Sequence, residues 1–255
     1  VVTVKDDRIV RMQDYRSRAA ALVAAGLPVD AHEALTVRVT EVIRSGDAAE
    51  LERLLHENPG LAADSGDASR SWLHVATDWP GHVPQAGAKI AALVAAGADV
   101  DARFGGPQHD ETPLHWAASS DDIDALDALL DAGADIEADG GVIGNGTPIA
   151  DAVAFGQWEA ARRLLERGAR TNLWQAAALG LVDRVREELA RASPTQEDLD
   201  NALWCAAHGG QRGTAEILLD RGADPAWIGH DGLTAAAAAE RSGAHELAGW
   251  LRDLN

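Results

Sequence analysis

A glycine returns along this chain at Gly26, Gly60, Gly97, Gly133 and Gly168, in steps of 34, 37, 36 and 35 residues. A period of this size marks a helical solenoid, in which each unit leaves an apolar stripe that only its neighbours can cover. The sequence around the glycine repeats as well. ALVAAGADVDA at 92–102 is nearly duplicated at 21–31 as ALVAAGLPVDA, and related segments stand at 131–138 (DAGADIEA) and 220–227 (DRGADPAW). After Gly168 the rhythm contracts: a unit ending near Ser193 has no glycine, the next ends at Gly222, and a partial unit runs over 232–253.

Within a unit the pattern predicts two helices, clearest in residues 112–135. Pro113 suits a first helical turn, Asp121 or Asp122 can cap a second helix, and Gly133 ends it. Ile123, Leu126, Leu129 and Leu130 recur at helical spacing and form the stripe to be buried. The chain holds 52 alanines but only one Tyr and two Phe, so its core is built from small residues that let helices approach closely.

Composition excludes several classes of function. The formal charge is −19, from 41 acidic against 22 basic residues, which removes the phosphate neutralisation that nucleic-acid binding relies on. No stretch reaches the roughly 20 apolar residues of a spanning helix, and Lys5, Asp6, Asp7 and Arg8 lead into no signal-peptide core, so the expected address is cytoplasmic. The single Cys205 forbids an internal disulfide and any multi-cysteine metal site. Arginine outnumbers lysine 20 to 2, a skew that points to a high-GC bacterial source.

The repeat resembles the ankyrin repeat. The resemblance rests on Thr112-Pro113-Leu114-His115 with Ala117 and Ala118, on Thr147-Pro148-Ile149 with Gly156, on Ser71-Trp72-Leu73-His74, and on three Gly-Ala-Asp endings. It is specific over 71–170. It implies an all-α solenoid of six to seven units with short β-hairpin fingers, in which the fingers and first helices line a concave face. By that register one domain spans 1–255, with an N-terminal half repeat at 12–31, units at 32–66, 67–102, 103–138, 139–170, 171–194 and 195–227, and a cap at 228–255.

Departures from the family pattern locate the candidate site. Residues 78–85 lengthen one inter-helix turn by about five residues, and the fingers at 103–111 and 139–146 are longer by about three and two. Between Gly168 and Trp174 no residues remain for a finger, so the groove should be walled at one end and open at the other. At the TPLH histidine the chain carries His74, His115, Ala150, Trp174 and Trp204 in turn. The resemblance makes His74 and His115 structural struts, whereas Trp174 and Trp204 are expected to fill the space of the missing finger. Trp158 aligns with a core leucine. Asp151 takes a position that is apolar elsewhere (Val75, Trp116, Cys205), so a buried carboxylate with hydrogen-bond donors or a raised pKa is expected.

No motif for catalysis stands out: there is no P-loop lysine, Gly144-Asn145-Gly146 lacks a third glycine, and His245-Glu246 lacks a second histidine. The leading reading is a recognition module that binds a protein partner through its concave groove, without cofactor, metal or chemistry of its own. Its binding residues would be Thr77, Asp78, Trp79, Phe104, His109, Glu111, Trp116, Ser119, Ser120, Phe155 and His208, with Arg44 and Arg241 on the inner track. The alternative is a small-molecule or acid/base pocket formed by the insertions in repeats two to four. There Asp78, His82, His109, His115 and Asp151 would supply the chemistry while Trp79 and Phe104 exclude water.

Overall fold

The computed structural model describes residues 2–5, 8–12, 31–64, 69–106, 110–191 and 193–254. An antiparallel ribbon of β1 (Val2–Lys5) and β2 (Arg8–Met12) precedes the helices. Fourteen α-helices follow among the described residues, and they fall into seven pairs. These are α1 (Ala31–Ser45) with α2 (Ala48–Glu57), α3 (Trp72–Ala76) with α4 (Ala86–Ala95), and α5 (Pro113–Ser119) with α6 (Ile123–Asp131). The fourth and fifth are α7 (Pro148–Ala154) with α8 (Trp158–Glu166) and α9 (Leu173–Ala178) with α10 (Val182–Arg191). The last two are α11 (Gln196–His208) with α12 (Arg212–Asp220) and α13 (Ala235–Arg241) with α14 (His245–Arg252). The half repeat expected at 12–31 lies outside the described residues apart from Met12, which ends β2, and Ala31, which starts α1.

Local chemistry sets these boundaries. The side chains of Asn172, Thr195 and Thr234 accept from backbone N–H groups one turn into their helices, and Pro113 and Pro148 occupy first-turn positions where no donor is lost. Of the two candidate caps for α6, Asp122 is the one that binds the helix end, accepting from Ala125 N at 3.1 Å. Asp121 instead takes a left-handed conformation (φ 56°) and reaches the next pair, accepting from Ala160 N at 2.7 Å.

The first helices stack in chain order from α1 to α13, and the second helices cover their outer side. The core lies between the layers and is largely Leu and Ala, with Ala117, Ala125, Leu126, Leu129, Ala160 and Leu164 fully buried. It divides into two clusters that meet at α9, one reaching back to Val39 and the other running on to Leu251. Trp174 packs against both.

Among the described residues the fingers carry no β-strand, where the resemblance implies short β-hairpins. The connections are held by a few backbone bonds, such as Phe104 N to Glu111 O at 2.8 Å and Gly141 N to Gly146 O at 3.0 Å, and by one isolated bridge between Ile228 and Thr234. Glycines and Asn145 in left-handed conformations bend the 139–146 connection too sharply for a ladder, and side chains take up carbonyls that a ladder would use.

Gly249 sits inside α14 with nothing within 4 Å of where a Cβ would stand. Gly249→Ala should therefore stabilise the C-terminal pair by about 0.5–1 kcal/mol, through helix propensity alone. Urea denaturation followed by circular dichroism checks this, and a loss of stability would contradict the open space.

Candidate functional site

His74 and His115 are tied at both ring nitrogens. Nδ1 of His74 accepts from Ser71 N at 3.2 Å and pairs with Ser71 Oγ at 2.9 Å, while its Nε2 reaches Glu111 O at 3.1 Å. His115 repeats the arrangement with Thr112 N (3.1 Å), Thr112 Oγ1 (2.9 Å) and Gly146 O (3.1 Å). A backbone N–H on Nδ1 and a carbonyl on Nε2 select the neutral Nε2–H tautomer. Burial pushes the His115 imidazole down to about 4, although the Gly146 carbonyl opposes that shift. His115 is a link from one connection to the next and has no nitrogen left for acid/base work.

The other members of the expected acid/base pocket do not gather. Asp78 accepts from Arg44 Nη2 at 3.0 Å and Arg70 Nη1 at 3.1 Å, which joins α1 to the 69–71 connection. His82 is exposed; its backbone N–H donates to Asp122 and its Nε2 meets Ser120 O at 3.1 Å, so the 78–85 loop lies on the end of α5. Trp79 is 73% exposed. His109 lies outside the described residues. Of the groups expected in repeats two to four, Asp78, His82 and His115 are thus held in separate structural contacts and do not converge.

Several expected groove residues are likewise committed elsewhere. Thr77 is fully buried, with Oγ1 donating to Leu73 O at 3.0 Å. Ser119 Oγ bonds Trp116 O at 3.1 Å, and Ser120 is buried under His82. Phe104 and Trp116 pack against each other with ring centroids 5.4 Å apart, the His74 ring lies 4.9 Å from Trp116, and Trp116 Nε1 donates to Glu111 Oε2 at 3.2 Å.

Asp151, in the first turn of α7, is fully buried, more so than any other described carboxylate. Its Oδ1 accepts from Ile143 N at 3.2 Å, and the connection wraps it so tightly that a Cβ on Gly141 would stand 2.8 Å from Oδ2. Oδ2 finds no fixed donor. Its neighbour is the carboxyl of Glu111, itself only 6% exposed. Two carboxyls share a hydrogen bond only if one keeps a proton. Burial, reinforced by Glu111, pushes Asp151 up to about 7 against the opposing Ile143 and Val142 N–H groups.

An open cleft of about 1230 Å³ lies further along, where no finger separates α8 from α9. The first helices wall it with Phe155 after α7, Trp174 and Gln175 of α9, Asn201, Trp204, Cys205 and His208 of α11, and Arg241 of α13. Val142, Ile143, Arg170, Arg184 and Arg191 line it as well. Among the binding residues expected from the sequence, Phe155 and His208 line this cleft, as does Arg241 of the inner track.

The wall is built as a stack. The His208 ring lies 5.4 Å from Trp204 in stacked orientation and 5.1 Å from Trp158, which is half-buried at the start of α8. Its Nδ1 pairs with Ser242 Oγ at 3.1 Å, and Nε2 is buried without a well-aligned partner. Burial first, then Arg241, lowers the His208 pKa, so the imidazole is neutral near pH 7. Trp204 Nε1 donates to Leu233 O at 3.0 Å, fixing its ring edge. Burial pushes the Cys205 thiol up to about 12, which removes thiolate chemistry from the cleft. Sequence reasoning assigns Trp174 and Trp204 to space filling and misses them as cleft residues, together with Asn201, Arg170 and Arg184. The absent finger after Gly168 is the signal for all of them.

Comparison with known proteins gives three findings. A family model of ankyrin repeats (3 copies) matches residues 85–173. The crystal structure of the human ASB11 ankyrin repeat domain is similar at 23% identity, covering 84% of this chain and 96% of that one with a TM-score of 0.49. No curated protein matches the chain. Among the described residues no helix is long and apolar enough to cross a membrane, and no group of three or more His, Cys, Asp or Glu could hold a metal ion.

Proposed function

We propose that this chain, whose residues 85–173 match the family model of ankyrin repeats (3 copies), is a recognition module whose partner protein docks in the cleft between α7 and α13. Ankyrin repeats are in general protein–protein interaction modules, and the array is read here as one domain over 1–255 with no catalysis of its own. The observation that carries the reading is the cleft itself: it opens where a finger is missing and presents Phe155, 50% exposed, beside Trp174 and Trp204. Aromatic anchors with rigid surroundings carry most of the energy at such interfaces. A bacterial cytoplasm remains the proposed setting, which the single buried thiol suits.

The test is site-specific photo-crosslinking. A benzophenone side chain placed at Phe155 should capture a discrete protein from the native cell, whereas the same group at Trp79, on the 78–85 loop, should not. Capture at 79 with none at 155 would move the interface to the insertion and end this reading.

A further inference from the structure

The charge of the cleft runs against the charge of the chain. Across the sequence 41 acidic residues face 22 basic ones, yet the cleft is lined by Arg170, Arg184, Arg191 and Arg241 against Glu137 and Asp231. Two cations per carboxylate in a molecule of formal charge −19 is a local inversion. Building on the cleft as the docking site, we propose that its occupant is an acidic segment of a partner protein, with an aromatic or bulky apolar side chain between its carboxylates.

The arginines are held but not exhausted. Arg184 pairs with Glu188 at 2.9 Å and with Glu187 at 3.3 Å and donates to Thr171 O at 3.1 Å, while Arg191 pairs with Glu188 at 2.9 Å; the Glu188 side chain is 10% exposed. Arg170 touches Glu137 through Nε alone at 3.4 Å, and its side chain is 79% exposed. Arg241 meets Asp231 through Nη1 and lies 5.7 Å over the Trp204 ring. Each guanidinium carries five N–H donors in a planar fork, so a carboxylate can be added at an unused edge without breaking the existing pair. Phe155 and Trp174 line the same cleft and supply apolar surface.

Size argues for a chain segment over a small molecule. The volume of about 1230 Å³ exceeds the roughly 300–1,000 Å³ of small-ligand sites, and the cleft is open along the stacked first helices. The net charge of −19 disfavours acidic chains on the molecule as a whole, so complementarity at the cleft also favours docking there.

A random dodecapeptide phage library selected on the full chain tests this, with selected peptides measured by fluorescence anisotropy. Peptides of net negative charge that contain an aromatic or large aliphatic residue should dominate. Their affinity should fall at least tenfold in Arg170→Gln/Arg241→Gln, fall in Phe155→Ala, and weaken as sodium chloride is raised. Arg170 is mostly exposed and Arg241 and Phe155 are about half exposed, so the variants are expected to keep the wild-type circular dichroism. Neutral or basic peptides that lose affinity in Phe155→Ala would overturn the acidic partner while leaving the cleft as the docking site. Acidic peptides indifferent to all three substitutions would remove both, and an empty selection would overturn the segment.

Discussion

Asp151→Asn should stabilise the protein by about 4 kcal/mol at pH 8 and by only about 1–2 kcal/mol at pH 5. The folded Asp151 titrates at about 7, above its ordinary value of 3.8, because its carboxyl is buried beside Glu111. A raised folded pKa means that the native state holds a proton the unfolded chain has released. The stability it contributes is therefore complete below about pH 4 and is lost as pH rises through 7. A rise from 3.8 to about 7 corresponds to about 4 kcal/mol between those limits. The amide is neutral throughout; its oxygen still accepts from Ile143 N, and its NH₂ can donate to Glu111. Urea midpoints of the two proteins at pH 5, 6, 7 and 8 give the result. A difference that stays constant over that range would show that Asp151 is ionised in the fold at every pH.

A single methyl group at residue 209 is expected to do comparable damage in the other direction. Gly209 caps α11 with an ordinary φ of −79°, so no left-handed conformation calls for glycine. Space does: a Cβ there would stand 1.9 Å from the carbonyl oxygen of Ala178, at the end of α9. A rigid backbone carbonyl cannot rotate away as a side chain could, so Gly209→Ala must push α11 from α9 at the meeting point of the two core clusters. Overpacking of this kind costs about 3 kcal/mol or more. Gly210→Ala is the control, since the nearest atom to its Cβ is the Ala244 Cβ at 3.4 Å and only its φ of 69° opposes the substitution. It should lose about 1 kcal/mol. Equal losses at 209 and 210 in chemical denaturation would remove the steric argument.

What the sequence could determine was whatever repeats at short range. Helix pairs, their proline and threonine starts and the glycines that end them are local, so the period of about 35 residues and the stripe of Ile123, Leu126 and Leu129 were enough to specify a solenoid. Asp151 was legible for the same reason: a carboxylate in a column of Val, Trp and Cys must be buried, whatever its partners. Only the tertiary structure decided what fills a loop. The 78–85 insertion has the composition of a lid because it carries Asp78, Trp79 and His82, yet its polar groups settle on Arg44, Arg70, Ser120 and Asp122. Those pairings span 34, 8, 38 and 40 residues, and contacts at such separations leave no mark in a sequence pattern. The cleft follows the same rule in reverse. Its walls are ordinary helix positions on four successive pairs, and they become a site because a missing connection between α8 and α9 leaves their faces uncovered.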